Sequence, residues 1–149
     1  LLAVVVAIIE RARRAYRPED EVTLQNGVVG DREHERLGAL PPSALDGVLV
    51  YRFDSPLFFA NATHFDERIR AVIEATTPAP TTVVIDAAAM DDIDVTGCNV
   101  ITRLAQDLEA KGTKVVITEL VPQAAQIVHD SGLDQVATVV PRLEDALAR

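Results

Sequence analysis

The densest set of side chains that could do chemistry lies in the acidic stretch 86–97, which ends in Asp94, Val95, Thr96 and Gly97. This stretch follows an apolar, β-branched run that predicts a buried strand, and it precedes apolar residues at helical spacing. Asp94 is placed to cap that helix, because a carboxylate at this position accepts a bond from a free N–H group of the first turn. Ligands of open α/β sheets bind at this end of the strands. We therefore expect the functional site here, although a capped helix with a glycine for close packing explains the same residues without a ligand.

Asp92, Asp94 and Thr96 also form the DxDxT pattern of haloacid-dehalogenase-type phosphatases. Such an enzyme needs its first aspartate as a nucleophile at the tip of a strand and its second as an acid or base. Here the predicted strand ends at Asp86, and Asp92 lies six residues further on. Because this placement fails, a magnesium-dependent phosphatase is the most distant alternative, and we predict no catalytic residue.

The amino-acid composition argues against several other kinds of functional site. The 149 residues are 48% hydrophobic and 25% charged, which suits one domain with a core. Acidic side chains number 23 against 14 basic ones, a net charge of −9, and such a surface repels nucleic acid. One cysteine excludes an intrachain disulfide, and Cys98 with the scattered His34, His64 and His129 gives no metal-ligand spacing. We therefore predict neither a nucleic-acid partner nor a metal ion.

The amino terminus is unlike that of a soluble protein. Residues 1–9 are all apolar, and Glu10 and a cluster of arginines follow directly. Nine apolar residues are too few to span a membrane, which takes about 20, and a signal peptide has its basic residues before the apolar run. We expect residues 1–17 to be the end of the last transmembrane helix with a basic juxtamembrane segment, and residues 18–149 to be one domain. A buried amino-terminal helix is the alternative.

Strands and helices alternate in the rest of the chain. Buried strands are predicted at 48–53, 81–86 and 113–118, and shorter ones at 22–28 and 136–140. Helical segments between the strands imply right-handed crossovers and parallel pairing. The predicted fold class is therefore α/β, with helices packed on a mostly parallel sheet.

Two single residues and one short stretch carry further predictions. Asn61 can cap the helix that follows the strand at 48–53. Cys98 is in register with the apolar face of the next helix, which predicts a core residue rather than a reactive thiol. The apolar stretch 56–60 allows two interpretations: it packs under the neighbouring loop as core, or it docks a membrane domain or a second subunit.

Two stretches carry a family resemblance: Asp-Ser-Pro-Leu-Phe-Phe-Ala-Asn-Ala at 54–62, and Asp-Val-Thr-Gly at 94–97. Together with the apolar start and its arginines, they make the chain similar to the C-terminal STAS domain of SulP-type sulfate and anion permeases. The first stretch is the specific part. The second is shared by STAS domains generally, including the soluble anti-sigma-factor antagonists.

The resemblance implies a four- to five-stranded, mostly parallel sheet flanked by helices and preceded by the stub of a transmembrane helix. It implies a regulatory domain without catalytic activity or a required cofactor, on the cytoplasmic side of the cell membrane. Its partner is then the membrane transport domain of the same polypeptide, and a homodimer is a further expectation. The alternative is a soluble phosphorylation switch like the antagonists, whose phosphorylated serine falls on Thr96, although the serine before it is Val95 here.

STAS domains have also been linked to purine nucleotides, which implies a site for GTP or GDP, aided by magnesium, near the same loop. Electrostatics oppose phosphate there. A helix N-terminus favours an anion by only about 0.3–1 kcal/mol, which the nearby aspartates outweigh. Each nearby aspartate opposes it by roughly 1 kcal/mol, taking about 8 Å and an effective dielectric of about 40. We therefore expect weak affinity, or phosphates held elsewhere while the base meets apolar side chains. The candidate residues are Leu57, Phe58, Phe59, Asn61, Asp94, Val95, Thr96 and Gly97.

Overall fold

The computed structural model describes residues 2–16, 18–25, 28–29 and 45–148. Helices and strands alternate along these ranges. In chain order they are α1 (Leu2–Tyr16), β1 (Asp20–Gln25), β2 (Val28–Val29), β3 (Val48–Phe53), α2 (Ala62–Ala75), β4 (Thr82–Asp86), α3 (Val95–Glu109), β5 (Lys114–Thr118), α4 (Pro122–Asp130), a 3-10 turn (Leu133–Gln135), β6 (Thr138–Val139) and α5 (Leu143–Leu147).

The strands form one sheet in the order β2-β1-β3-β4-β5-β6. Strands β3 to β6 pair in parallel, whereas β1 pairs antiparallel with both β2 and β3. The predicted α/β class with a mostly parallel sheet is confirmed. The strand predicted at 22–28 is divided between β1 and β2. The strand predicted at 136–140 is shorter, because the N–H groups of Val136 and Ala137 donate to the Leu133 carbonyl, which continues the preceding turn, and β6 covers only Thr138–Val139.

The larger core lies between the sheet and helices α2, α3 and α4. Tyr51 of β3 and Ile85 of β4 are fully buried on this side, and the Tyr51 ring meets Phe65 of α2 edge-on with centroids 5.9 Å apart. The apolar residues of α2 recur at helical spacing: Phe65 and Ile69 are both 0% exposed, and Val72 and Ile73 are partly buried. The apolar face of α3 with which Cys98 is in register is buried, and its members are Cys98, Ile101, Leu104, Ala105 and Leu108.

A smaller core lies on the opposite face of the sheet. Val50, Val84 and Val116 of the three central strands pack there with Leu143 and Leu147 of α5. Burial on both faces explains why β3 and β4 are nearly continuous apolar runs rather than alternating ones. The carboxyl ends of these parallel strands share one edge, where the loops 54–61 and 87–94 meet.

Helix α1 differs from the other helices because its side chains from Leu2 to Arg13 are exposed. Leu2, Val4 and Ile8 are 79%, 61% and 62% exposed. Within the described residues, no helix has both the length and the apolarity that crossing a membrane requires. The division between segments 1–17 and 18–149 stays a prediction, and Arg17 itself is outside the described residues.

Candidate functional site

The candidate site is built where the loop after β3 meets the start of α3. The Leu57 N–H donates to the Asp92 carbonyl at 3.0 Å, and the Asp94 N–H donates to the Leu57 carbonyl at 3.0 Å. Leu57 and Ile93 thus form a short parallel bridge outside the main sheet. This bridge brings two stretches that are 36 residues apart in sequence (93 − 57) into contact.

Asp94 joins the two stretches through both of its carboxylate oxygens. Oδ1 accepts from the Gly97 N–H at 2.8 Å, and Oδ2 accepts from the Phe59 N–H at 2.9 Å. The first contact confirms the predicted helix cap, which satisfies one of the free N–H groups of the first turn. The second contact ties the cap to the aromatic loop, and nothing in the sequence spacing indicated it.

Gly97 lies where α3 comes closest to the loop. A Cβ atom at this position would lie 2.8 Å from the Leu57 carbonyl oxygen and 3.0 Å from the Ile93 and Leu57 side chains. Because a backbone atom cannot move aside as a flexible side chain can, this approach requires glycine. The alternative of a glycine for close packing is therefore confirmed as the structural role of Gly97.

The predicted cap by the Asn61 side chain is wrong. Asn61 occupies the N-cap position of α2, and its carbonyl accepts from Phe65 N–H at 2.9 Å, but its side chain makes no cap bond. Instead, Oδ1 accepts from the Phe58 N–H at 3.0 Å and Nδ2 donates to the Pro56 carbonyl at 2.9 Å. The side chain is fully buried and holds the loop in shape, because the loop's own backbone groups outcompete the helix for it.

The predicted site residues separate into a buried set and an exposed set. Leu57, Asn61 and Gly97 are buried and form the support. Thr96 is exposed, and Phe59 and Val95 are 71% and 64% exposed. Half-buried Phe58 packs edge-on against Phe59, with ring centroids 5.9 Å apart. Within the stretch 56–60, the core interpretation is confirmed for Leu57, whereas Phe59 faces solvent and docking at Phe59 stays a prediction.

The electrostatics of this edge are acidic. The Asp94 carboxylate takes up the Gly97 N–H group that an incoming anion would use, and Asp91 and Asp92 are exposed beside it. A phosphate would therefore meet carboxylates rather than free N–H groups. Within the part of the chain that the structure describes, no group of three acidic, histidine or cysteine side chains is arranged to hold a metal ion, and His34 lies outside that part.

The phosphatase arrangement needs a nucleophilic aspartate at the end of a strand. Asp86 is the last residue of β4, and Asp92 is an exposed loop residue six positions later (92 − 86). The carboxylate that would act as acid or base, Asp94, is bound to two backbone N–H groups. The geometry is therefore that of a structural cap.

Cys98 lies in the first turns of α3 and is fully buried. Burial raises the pKa of its thiol, so the protonated form is favoured. The prediction of a core residue is confirmed.

Two features at the same edge of the sheet were missed by the sequence analysis. The first is an ion pair at the ends of β3 and β4, in which Arg52 Nε donates to Asp86 Oδ2 at 2.9 Å. The Asp86 side chain is fully buried, and its Oδ1 accepts from the Ala88 N–H at 3.0 Å. The sequence carries a signal that could have indicated this pair. One buried strand ends in an acidic residue, and another has a basic residue near its end.

The second missed feature is an open groove of about 400 Å³ between the start of α3 and the end of α4. Val95 and Ile127 supply its apolar walls, and Asn99, Asp130 and Ser131 supply its polar ones. The groove depends on how two helices pack side by side, which the spacing of residues along either helix does not reveal.

Comparison with known proteins identifies a matching family model and several similar proteins. A family model described as the STAS domain matches residues 42–146. "Probable sulfate transporter Rv1739c" of Mycobacterium tuberculosis (strain ATCC 25618 / H37Rv) is 26% identical over 156 residues, which cover 100% of this chain and 28% of that protein. "Probable sulfate transporter 3.4" of Arabidopsis thaliana is 25% identical over 140 residues, which cover 87% of this chain and 21% of that protein. The chain thus spans less than a third of the length of either relative.

Solved structures give the same fold. The murine anion transporter Slc26a9, in its inward-facing state, matches with a TM-score of 0.76 and 18% identity over 99% of this chain and 24% of that one. The anti-sigma factor antagonist SpoIIAA, in its unphosphorylated form, matches with a TM-score of 0.56 and 20% identity over 68% of this chain and 86% of that one. At these identities the likeness shows the fold alone.

Proposed function

The chain belongs to the STAS domain family, and from this premise we propose that it is the regulatory, non-catalytic cytoplasmic domain of a membrane transporter for sulfate or a related anion. The M. tuberculosis relative, named as a sulfate transporter, matches along the full length of the chain, including the apolar start. The membrane transport domain of the same polypeptide is the partner in this proposal.

The observation that carries the proposal is the exposure of helix α1. Among the described residues, no core covers its apolar side chains; Val4, Ile8 and Ile9 are 61%, 62% and 52% exposed. The first eight residues of α1, from Leu2 to Ile9, are apolar on all sides, and such a surface belongs in a bundle or a membrane rather than in water. Arg11 and Arg13 follow directly, which is the order expected where a transmembrane helix emerges on the cytoplasmic side.

The site itself suits binding rather than chemistry. Asp94 is bound to two backbone groups, Asp86 is paired with Arg52, and the Cys98 thiol is buried. The exposed apolar side chains at this edge, Phe59 and Val95, offer surface for contact with a partner. Regulation by contact with the transport domain is therefore what the arrangement supports.

The test is anion uptake by the complete polypeptide. It is inserted into liposomes, and entry of radiolabelled sulfate is compared with that in protein-free liposomes. We expect saturable uptake that unlabelled sulfate competes away. A complete polypeptide that stays in the soluble fraction of its native cells, or that moves neither sulfate nor any other small anion, would contradict the proposal.

A phosphorylation switch is the second candidate, and the exposure of Thr96 at the start of α3 favours it. A phosphate there would lie close to Asp91, Asp92 and Asp94, so repulsion would loosen the start of the helix rather than tighten it. Intact-mass measurement of protein from native cells, before and after phosphatase treatment, tests this switch. The Thr96→Val variant is the control, and an unmodified Thr96 under all growth conditions would rule the switch out.

In this proposal, a nucleotide binds mainly through its base. Phe59 and Val95 offer apolar surface to a purine base, but the phosphates must extend away from the Asp94 cap or bind with magnesium. Amide NMR titration of the chain with GDP, GTP, ATP and sulfate, each with and without magnesium, tests it. Saturable shifts centred on residues 57–61 and 94–97 support a nucleotide site, and unchanged spectra exclude one.

A further inference from the structure

Exposed residues from three segments of the chain form one surface beside the candidate site, which we call the acidic-apolar face. It comprises Phe59, Val95 and the groove beside Val95, with the exposed Asp91, Asp92 and Asp130 around them. The segments that carry Phe59 and Val95 are joined, since the Phe59 N–H donates to the carboxylate of Asp94, the residue before Val95. The face therefore has an aromatic anchor on one side and an open groove of about 400 Å³ on the other.

The backbone that carries Phe59 is fixed by several contacts. Asp94 binds the Phe59 backbone, the bridge to Ile93 fixes Leu57, and the Phe58 ring supports the Phe59 ring. An aromatic side chain on a fixed backbone has only two rotatable bonds, so it loses little entropy when a partner covers it. Such anchors are typical of the centres of protein interfaces.

The charge of the face determines what can bind it. The lining segments 54–61, 91–99 and 127–131 contain five aspartates, no lysine and no arginine. Asp94 is engaged in the cap and Asp130 Oδ1 accepts from Gln126, while His129 pairs with Asp134. Asp91 and Asp92 remain exposed to solvent. Anionic lipid headgroups and polyphosphates are repelled by such a rim, whereas lysine and arginine side chains are attracted to it.

We infer that the acidic-apolar face docks a basic segment with apolar anchors on the cytoplasmic surface of the transport domain. The inference rests on the proposed function, because cytoplasmic loops of membrane proteins are enriched in lysine and arginine near the ends of the spans. An apolar side chain of that segment covers Phe59 or enters the groove between Val95 and Ile127. Its basic side chains pair with Asp91, Asp92 and Asp130. This contact is the route by which the domain senses or restrains the transport unit.

The test is site-specific photo-crosslinking in the complete polypeptide within native membranes. Benzoylphenylalanine replaces Phe59 or Val95, and it replaces the exposed Glu74 of α2 as the control. We expect adducts from the first two positions at least about tenfold above the control. Mass spectrometry is expected to place the adducts on a cytoplasmic segment rich in lysine and arginine, in the same polypeptide or in a second copy of it. Adducts only with lipid or with other proteins, or none above the control, would overturn the inference.

A pair of charge-reversal variants distinguishes specific docking from crosslinking by proximity alone. Asp91→Lys with Asp130→Lys should lower the crosslinking yield from position 59 at least about fivefold. Glu74→Lys with Glu109→Lys makes the same change in charge at exposed positions outside this face and should leave the yield unchanged. Equal yields from the two variants would overturn the inference. Circular dichroism of the purified variants verifies that both fold.

Sulfate uptake and membrane insertion are measured on the same preparations. If the polypeptide neither inserts nor transports, the proposed function has failed. If it transports while the crosslinks are absent or insensitive to charge, the docking inference alone has failed.

Discussion

At the scale of single residues, Asp94 has the most consequential position. One side chain caps α3 through Gly97 and fixes the backbone of Phe59, so a local helix signal also organises the neighbouring loop. The sequence predicted the cap because it is local and depends on the residues that follow directly. It could not predict the bond to Phe59, since that contact arises only when the ends of β3 and β4 lie side by side.

Asp94→Ala removes both hydrogen bonds and should lower the free energy of unfolding by about 1–2 kcal/mol, the usual cost of losing an N-cap. Urea unfolding of the chain measures the change. Asp92→Ala is the matched control, because the Asp92 side chain is exposed and only its backbone carbonyl contacts the loop. Equal destabilisation by the two variants would show that Asp94 does not have the role assigned to it.

A second prediction at this scale concerns His129, whose Nδ1 lies 2.7 Å from Asp134 Oδ2. The hydrogen bond and the charge of Asp134 raise the pKa of His129 above its usual value of 6.5. Because the folded-state pKa of His129 is the higher one, the pair makes its full contribution to the free energy of unfolding at pH values below the unfolded-state pKa. That contribution is lost as the pH rises through the folded-state value.

The chemical shift of the His129 ring proton, followed by NMR against pH, measures this pKa directly. We expect a midpoint above 6.5 that falls towards 6.5 in Asp134→Asn. A midpoint that does not respond to this substitution would mean that Asp134 is not the cause.

At the scale of elements, the close contact between α3 and the loop 54–61 makes the face possible. Gly97 lets the helix approach the Leu57 backbone, and Asn61 holds the loop from the other side. The spacing of apolar residues placed Cys98 correctly on the buried face of α3. It failed for Asn61, because the choice between capping α2 and bonding the loop depends on a loop conformation that the sequence does not specify.

Gly97→Ala tests this contact. Alanine ordinarily stabilises a helix interior by about 1 kcal/mol relative to glycine, but here the added methyl group would lie 2.8 Å from the Leu57 carbonyl oxygen. We expect a net destabilisation of about 1–3 kcal/mol, as in other overpacked sites, together with amide shift changes at residues 57–59. Asn99→Ala, at an exposed position of the same helix, should be nearly neutral. A stabilised Gly97→Ala variant would mean that helix and loop are further apart than the structure places them.

At the scale of the whole molecule, the alternation of strands and helices predicted the α/β class and the parallel order of the central strands. The groove between α3 and α4 and the pairing of Arg52 with Asp86 could not be predicted, because both depend on how elements pack across the sheet. The exposed apolar helix α1 and the acidic-apolar face lie on a domain whose other apolar side chains are mostly buried. We interpret both as surfaces that the rest of a larger polypeptide covers.

The central claim is that this domain controls anion transport without doing chemistry of its own. The most direct measurement is the initial rate of sulfate uptake at equal amounts of inserted protein, with residues 18–149 present and with them deleted. We expect deletion to change the maximal rate severalfold while sulfate remains the transported ion. Identical rates and identical dependence on sulfate concentration, for the complete and the shortened polypeptide, would contradict a regulatory role.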